Sequence, residues 1–213
     1  MRWWHNWIVD GFHKIFYRFN NRAVWREATW LGVPALKCPF DLWVYQEILY
    51  KVQPGIIVEC GTYQGGSALF LASVCDQVGR GQVLTIDVEA YDRQPQHPRI
   101  TYLQGSTTAP ETLSAVRSRI GQDDIVMVIL DSEHSQPHVL QEMQLYGPLV
   151  SVGSYLIVED TNINGHPVWP DFGPGPMEAV GAFLEADDRF IIDRACEKFY
   201  LTFNPGGYLK RVK

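Results

Sequence analysis

Two short stretches carry groups that could do chemistry together: Asp131, His134 and His138 in "VMVILDSEHSQPH", and Glu159 and Asp160 in "SYLIVED". Asp131 and Glu159 each follow directly on a run of apolar, largely β-branched residues, the mark of a buried strand. Asp131 precedes Glu159 and Asp160 by 28 and 29 residues. Neighbouring parallel strands lie about 4.8 Å apart, so if these two are adjacent the three carboxylates converge. Their repulsion in a partly desolvated cleft is destabilising unless a cation sits between them. A hard divalent ion such as Mg²⁺, which takes oxygen ligands and keeps positions open, meets that need. His134 is then placed to act as general base on a hydroxyl whose pKa the ion has lowered. His138, just after Pro137, reads either as a structural residue of a helix start or as a group facing the substrate.

A second cluster lies upstream in "VECGTYQGGSALFLA". Gly61, Gly65 and Gly66 form a turn into a helix, where exposed N–H groups and a close backbone approach suit a nucleotide-like ligand. The spacing is E-x-G-x-x-x-G, Glu59 to Gly65, and not the GxGxxG of a dinucleotide site. It matches the looser turn associated with S-adenosylmethionine, with Thr62, Tyr63 and Ser67 as further candidates and Asp131 at the same edge. A purely structural glycine turn is the competing reading. Asp87, 26 residues after Gly61, stands where an acid commonly binds a ribose hydroxyl pair. Ser106 is a candidate for the adenine side. Beyond Asp160, a Gly- and Pro-rich loop offers the flat faces of Trp169 and Phe172 as an acceptor-pocket wall.

The elements that must hold these groups alternate. Apolar runs at 55–60, 82–87, 99–105, 124–131 and 154–160 are separated by segments of helical composition at 66–78, 109–120, 137–149 and 174–187, and "KFYLTFNP" reads as a closing strand. That pattern predicts an α/β fold with a doubly wound, mostly parallel, Rossmann-like sheet over residues 51–213. Residues 1–50 read as a helical extension. Its first helix places Trp3, Trp4, Trp7, Ile8, Phe12, Ile15, Phe16 and Phe19 on one stripe, with Arg2, Asp10, His13, Lys14 and Arg18 mainly on the other faces. Packing on its own domain, a homo-oligomer interface and peripheral membrane contact through residues 1–20 compete. Asp10 and the mixed polar face favour the first two, because anionic lipid asks for denser Lys and Arg.

At 213 residues, 46% apolar, the chain can fill one core. A net charge of −6 gives no case for a nucleic-acid partner. The four cysteines lack metal or disulfide spacing and read as reduced core thiols, and no signal peptide or membrane-spanning run is seen, so a cytoplasmic protein is expected.

The segments "WLGVPALKCPFDLWVYQE", "VECGTYQGGSALFLAS", "DSEHSQPHV" and "YLIVEDTNINGHPVWPDFGPGPMEAV" together resemble the cephalosporin hydroxylase family, which also holds rhamnosyl and macrolide-sugar O-methyltransferases. The similarity spans roughly residues 29–203. The resemblance implies a class I S-adenosylmethionine-dependent methyltransferase fold, a Mg²⁺ on Asp131, Glu159 and Asp160, His134 as general base, and a small-molecule or glycan hydroxyl as acceptor. Two alternatives stay open: an Fe(II) hydroxylase, although Glu133-His134 runs opposite to the usual H-x-D/E order, and a non-catalytic cofactor-binding assembly protein.

Overall fold

In the computed structural model, which describes residues 3–18 and 22–213 and all their side chains except those of Trp3 and His5, the apolar runs become one seven-stranded sheet. Of the stripe expected in the first helix, Phe19 and the Trp3 side chain lie outside what is described, as does Arg2 of the opposite face. The elements are α1 (Trp3–Tyr17), β1 (Thr29–Trp30), β2 (Val33–Pro34), α2 (Pro39–Val52), β3 (Ile56–Cys60), α3 (Gly66–Val78), β4 (Gln82–Asp87), β5 (Ile100–Gln104), α4 (Pro110–Arg117), β6 (Val126–Leu130), α5 (Gln136–Tyr146), β7 (Tyr155–Val158), α6 (Pro176–Ala186), β8 (Phe190–Ile192) and β9 (Tyr208–Arg211). The sheet order is β5-β4-β3-β6-β7-β9-β8, and β1 and β2 form a separate hairpin. β5, β4, β3, β6 and β7 are parallel, while β9 runs antiparallel to both β7 and β8. The chain thus adopts the doubly wound, mostly parallel α/β architecture expected of it.

Successive strand residues point to opposite faces, and both faces are covered. Val58 and Cys60 of β3, with Val128 and Leu130 of β6, lie against α4, α5 and α6 through Val116, Met143, Tyr146 and Val180. Ile57, Met127 and Ile129 lie against α2 and α3 through Tyr45, Leu49, Leu71 and Ala72. Burial on both sides is why β3 and β6 are apolar at every position except Glu59. Because α2 supplies Tyr45, Ile48 and Leu49 to this core, a division at residue 50 cuts through the sheet's own packing.

The run 198–205, expected to close the sheet, is irregular, and β9 follows it. The buried Asp41 carboxylate takes its donors: Phe203 N–H at 2.8 Å, Thr202 Oγ1 at 2.5 Å and, from β9, Tyr208 Oη at 2.8 Å. A backbone group bound to a side chain from α2 is not available to a ladder. β8, which the sequence reading did not anticipate, takes the edge position beside β9.

α1 docks by one edge. His13 stacks on Phe203 with ring centroids 5.7 Å apart and accepts a hydrogen bond from Asn162 Nδ2 at 3.0 Å, and Phe16 and Tyr17 also contact Phe203. Trp7, Ile8, Phe12 and Ile15 face outward, Trp7 at 74% exposure. Packing on the chain's own domain therefore accounts for the His13 edge and leaves most of the apolar stripe uncovered. Among the described residues no helix is long and apolar enough to cross a membrane.

Burial lowers the His13 pKa from 6.5 to about 4. Undocked α1 takes up a proton near pH 6.5 that the docked form refuses until about pH 4. Docking is therefore strongest above pH 6.5 and weakens as pH falls through this window, by up to about 3 kcal/mol. Asp41, raised to about 6 by burial, acts on global unfolding with the opposite sign, so the readout must be local to α1. Amide exchange of α1, corrected for intrinsic rate, should lose protection by about tenfold per pH unit below 6.5, and His13→Gln should flatten that dependence. A slope unchanged in the variant would assign the effect to another group.

Candidate active site

β3 and β6 are neighbours at the point where strand order reverses, and open α/β sheets bind ligands beyond the strand ends there. Cys60 pairs with Leu130, and Leu130 with Val158, so Gly61, Asp131 and Glu159 leave the sheet side by side. Glycine is required at 61: φ is +99°, and a Cβ would lie 2.0 Å from the Asp131 carbonyl oxygen. At Gly66 a Cβ would lie 2.0 Å from the Pro34 carbonyl oxygen. Asp87 holds the turn between them, its Oδ2 accepting the N–H groups of Thr62 and Tyr63 at 3.0 and 2.9 Å. Glu59, fully buried on β3, accepts from Thr85 Oγ1 at 2.6 Å, and its Oε1 has no partner among the described residues. Burial raises its pKa.

Gly61, Thr62, Tyr63, Ser67, Asp87 and Ser106 open onto a cavity of about 740 Å³, which also takes in Asp131, His134 and Asp160. That volume lies within the range of cofactor sites. Asp131, His134 and Asp160 each present a ligand atom within 4.8 Å of one another, and His134 Nε2 is 3.3 Å from Asp160 Oδ2. Asp160 reaches this place through a left-handed backbone, φ +54°, with its N–H donated to Asn204 Oδ1 at 3.2 Å.

Glu159 is not in that group. Its Oε1 accepts from Lys37 Nζ at 2.6 Å and from Tyr45 Oη at 2.9 Å. Lys37, 3% exposed, also bonds Asp131. Burial alone would lower the Lys37 pKa, but the carboxylates of Asp131, Glu159 and Glu59 outweigh it and hold the ammonium charged. Burial, then Asp131, raises the pKa of Glu159 against the pull of Lys37. Burial raises that of Asp160, with His134 opposing and Asp131 adding. Three carboxylates meet one ammonium here, so a further cation would relieve their mutual repulsion. The donor set, two carboxylates and an imidazole converging with a third carboxylate beside them, fits a hard or borderline divalent ion.

Sequence reasoning missed Lys37, Tyr45 and Asn204. Lys37 lies 94 residues from Asp131, and its local signal is a single ammonium within the apolar connector between β2 and α2. His138, read from the sequence as either a helix-start residue or a group facing the substrate, lines this cavity beside Thr107, with Nε2 3.2 Å from Thr107 Oγ1 and 3.3 Å from the buried Glu142, whose hydrogen bond raises its pKa. Trp169 lines a second cavity and not this one, and Phe172 packs on Trp169 at 5.3 Å and lines neither.

A model of the family described as Rhamnosyl O-methyltransferase/CmcI matches residues 22–212. The Rhamnosyl O-methyltransferase of Mycobacterium leprae is 40% identical over 210 residues, 96% of this chain and 90% of that protein. An apo structure of CmcI is similar with a TM-score of 0.70 at 25% identity, covering 92% of this chain and 81% of that one. The MycE methyltransferase from the mycinamycin biosynthetic pathway, in complex with Mg and SAH, is similar over 68% of this chain and 38% of that one, with a TM-score of 0.51 at 25% identity.

Proposed function

The chain belongs to the Rhamnosyl O-methyltransferase/CmcI family, and from that premise we propose how its site methylates a sugar hydroxyl. The activity class is S-adenosylmethionine-dependent O-methyl transfer on a class I methyltransferase fold. The cofactor would lie over the turn 61–66, against Ser67, Asp87 and Ser106, with His138 on the Thr107 side of the same cavity; Glu59, fully buried on β3, does not line it. Asp131, Glu159 and Asp160 would hold a Mg²⁺, Glu159 through the oxygen that neither Lys37 nor Tyr45 engages. When bound, the ion would supply orientation of the acceptor and a lowered hydroxyl pKa.

The remaining steps belong to the chain's own residues. His134 takes the acceptor proton. The acceptor oxygen forms a bond to the sulfonium methyl while the C–S bond breaks, its electron pair staying on sulfur. Lys37 and Tyr45 fix the carboxylates, so little reorganisation is needed during transfer. Similarity to a relative named Rhamnosyl O-methyltransferase supports a deoxysugar hydroxyl as acceptor.

The observation that carries this reading is the convergence of Asp131, His134 and Asp160 in one cavity with the glycine turn. Transfer of labelled methyl groups to rhamnosides, with Mg²⁺ and after EDTA treatment, tests it. EDTA and Asp160→Asn should each remove activity by about a hundredfold or more, while S-adenosylhomocysteine still binds. Full activity in EDTA would rule out the metal role, and transfer that requires iron and dioxygen would restore the hydroxylase alternative.

The exposed face of α1 supports a contact surface, for a second copy of the chain or for a bilayer, which sedimentation with and without vesicles separates. Four free, buried cysteines support a reducing, cytoplasmic setting.

A further inference from the structure

A second cavity, about 680 Å³, lies between α1, residues 23–26 and the loop 165–170. Its charge is opposite to that of the first. Among the described residues Lys14, Arg18 and Arg26 line it and no carboxylate does, whereas the first cavity holds Asp87, Asp131, Glu133 and Asp160 against the one ammonium of Lys37. Lys14 and Arg26 have no carboxylate partner among the described residues. In a chain of net charge −6 such a wall is not a reflection of composition.

The two cavities share Trp25. Arg26 lies over the Trp25 ring, 5.1 Å from its centroid, which sets a planar guanidinium on an aromatic face while its donors stay free for an anion. Trp169, at the far rim, has φ +49°. For a bulky residue this backbone is strained, and it sets a half-exposed indole where a sugar ring could stack. A cofactor sulfonium and a divalent ion both suit the acidic side and have no use for the basic one.

We propose that this cavity is the anion subsite of the acceptor, holding a phosphoryl group attached to the sugar whose hydroxyl enters the acidic cavity past Trp25. The inference rests on the methyltransferase reading for which cavity receives the hydroxyl. Lys14 and Arg26, drawn from two chain segments, offer an ammonium and a guanidinium whose several donors match the several oxygens of a phosphoryl group better than a single carboxylate. The phosphoryl group can come from a soluble glycosyl phosphate or from the headgroup of a lipid-linked sugar.

Calorimetry on the full chain, in EDTA so that no metal bridges the probe, tests the subsite with glucose 1-phosphate, with methyl glucoside as the uncharged control, and with phosphatidylglycerol vesicles. Glucose 1-phosphate should bind and methyl glucoside should not, and the double variant Lys14→Glu/Arg26→Glu should weaken binding by about tenfold or more. Both side chains are exposed, and S-adenosylhomocysteine affinity reports that the variant is folded. Binding to vesicles alone, lost in the variant, supports the subsite and assigns a lipid source. No binding to either phosphate probe, or binding undiminished in the variant, overturns it. Failure of S-adenosylhomocysteine to bind wild-type protein would instead overturn the methyltransferase reading, leaving the phosphate result to stand separately.

Discussion

Replacing Lys37 by methionine is expected to lower the melting temperature of the metal-free protein on the order of 10 °C, and millimolar Mg²⁺ should recover most of that loss. Lys37 is buried and bonded to both Asp131 and Glu159. Removing one partner of a buried ion pair costs about 3–5 kcal/mol, because the other charge stays uncompensated. For a chain of this length each kcal/mol moves the midpoint by about 2–4 °C. Without the ammonium the carboxylates of Asp131, Glu159 and Asp160 face one another, and a divalent ion becomes the cation available to the cluster. Wild-type protein, whose Asp131 and Glu159 already share Lys37, should gain less from Mg²⁺. Equal melting of the two metal-free proteins would show that Lys37 does not hold the cluster together. A variant melt indifferent to Mg²⁺ would show that these acids are not a metal site.

Alanine at His134 should reduce kcat by about 10²–10⁴, the range of general-base catalysis, with little change in affinity for S-adenosylhomocysteine. Its place beside Asp160 allows two roles, because His134 Nε2 belongs to the same 4.8 Å group as Asp131 and Asp160. Metal affinity separates them. A base leaves Mg²⁺ binding intact when truncated, whereas a ligand takes it away. Retained kcat in the alanine variant would exclude both. Loss of kcat together with metal binding would move His134 into the ligand set and leave Glu159 as a partner of Lys37 and Tyr45 only.

The family model and the physical argument cover the same residues. The match covers residues 22–212, and the glycine turn and the strand ends that meet Asp131 lie inside it. α1 precedes the residues that the family model matches, and there the structure leaves a large apolar face uncovered and places Lys14 of the second cavity, with Arg18 just past the helix end.

The sequence by itself determined the parallel sheet and the edge at which chemistry occurs. Apolar strands of fixed period, each ended by a glycine turn or an acid, allow few other arrangements, and adjacency of β6 and β7 then brings Asp131 beside Glu159. Tertiary structure alone decided which cation balances those acids, since Lys37 enters from a connector 94 residues away with no periodic signal of its own. It also decided that 198–205 is irregular, with the Phe203 N–H given to Asp41, and that His138 and Trp169 face different cavities. Periodicity reports which face of an element is buried. Side-chain hydrogen bonds between distant segments depend on how the elements are stacked, and a local pattern carries no record of that.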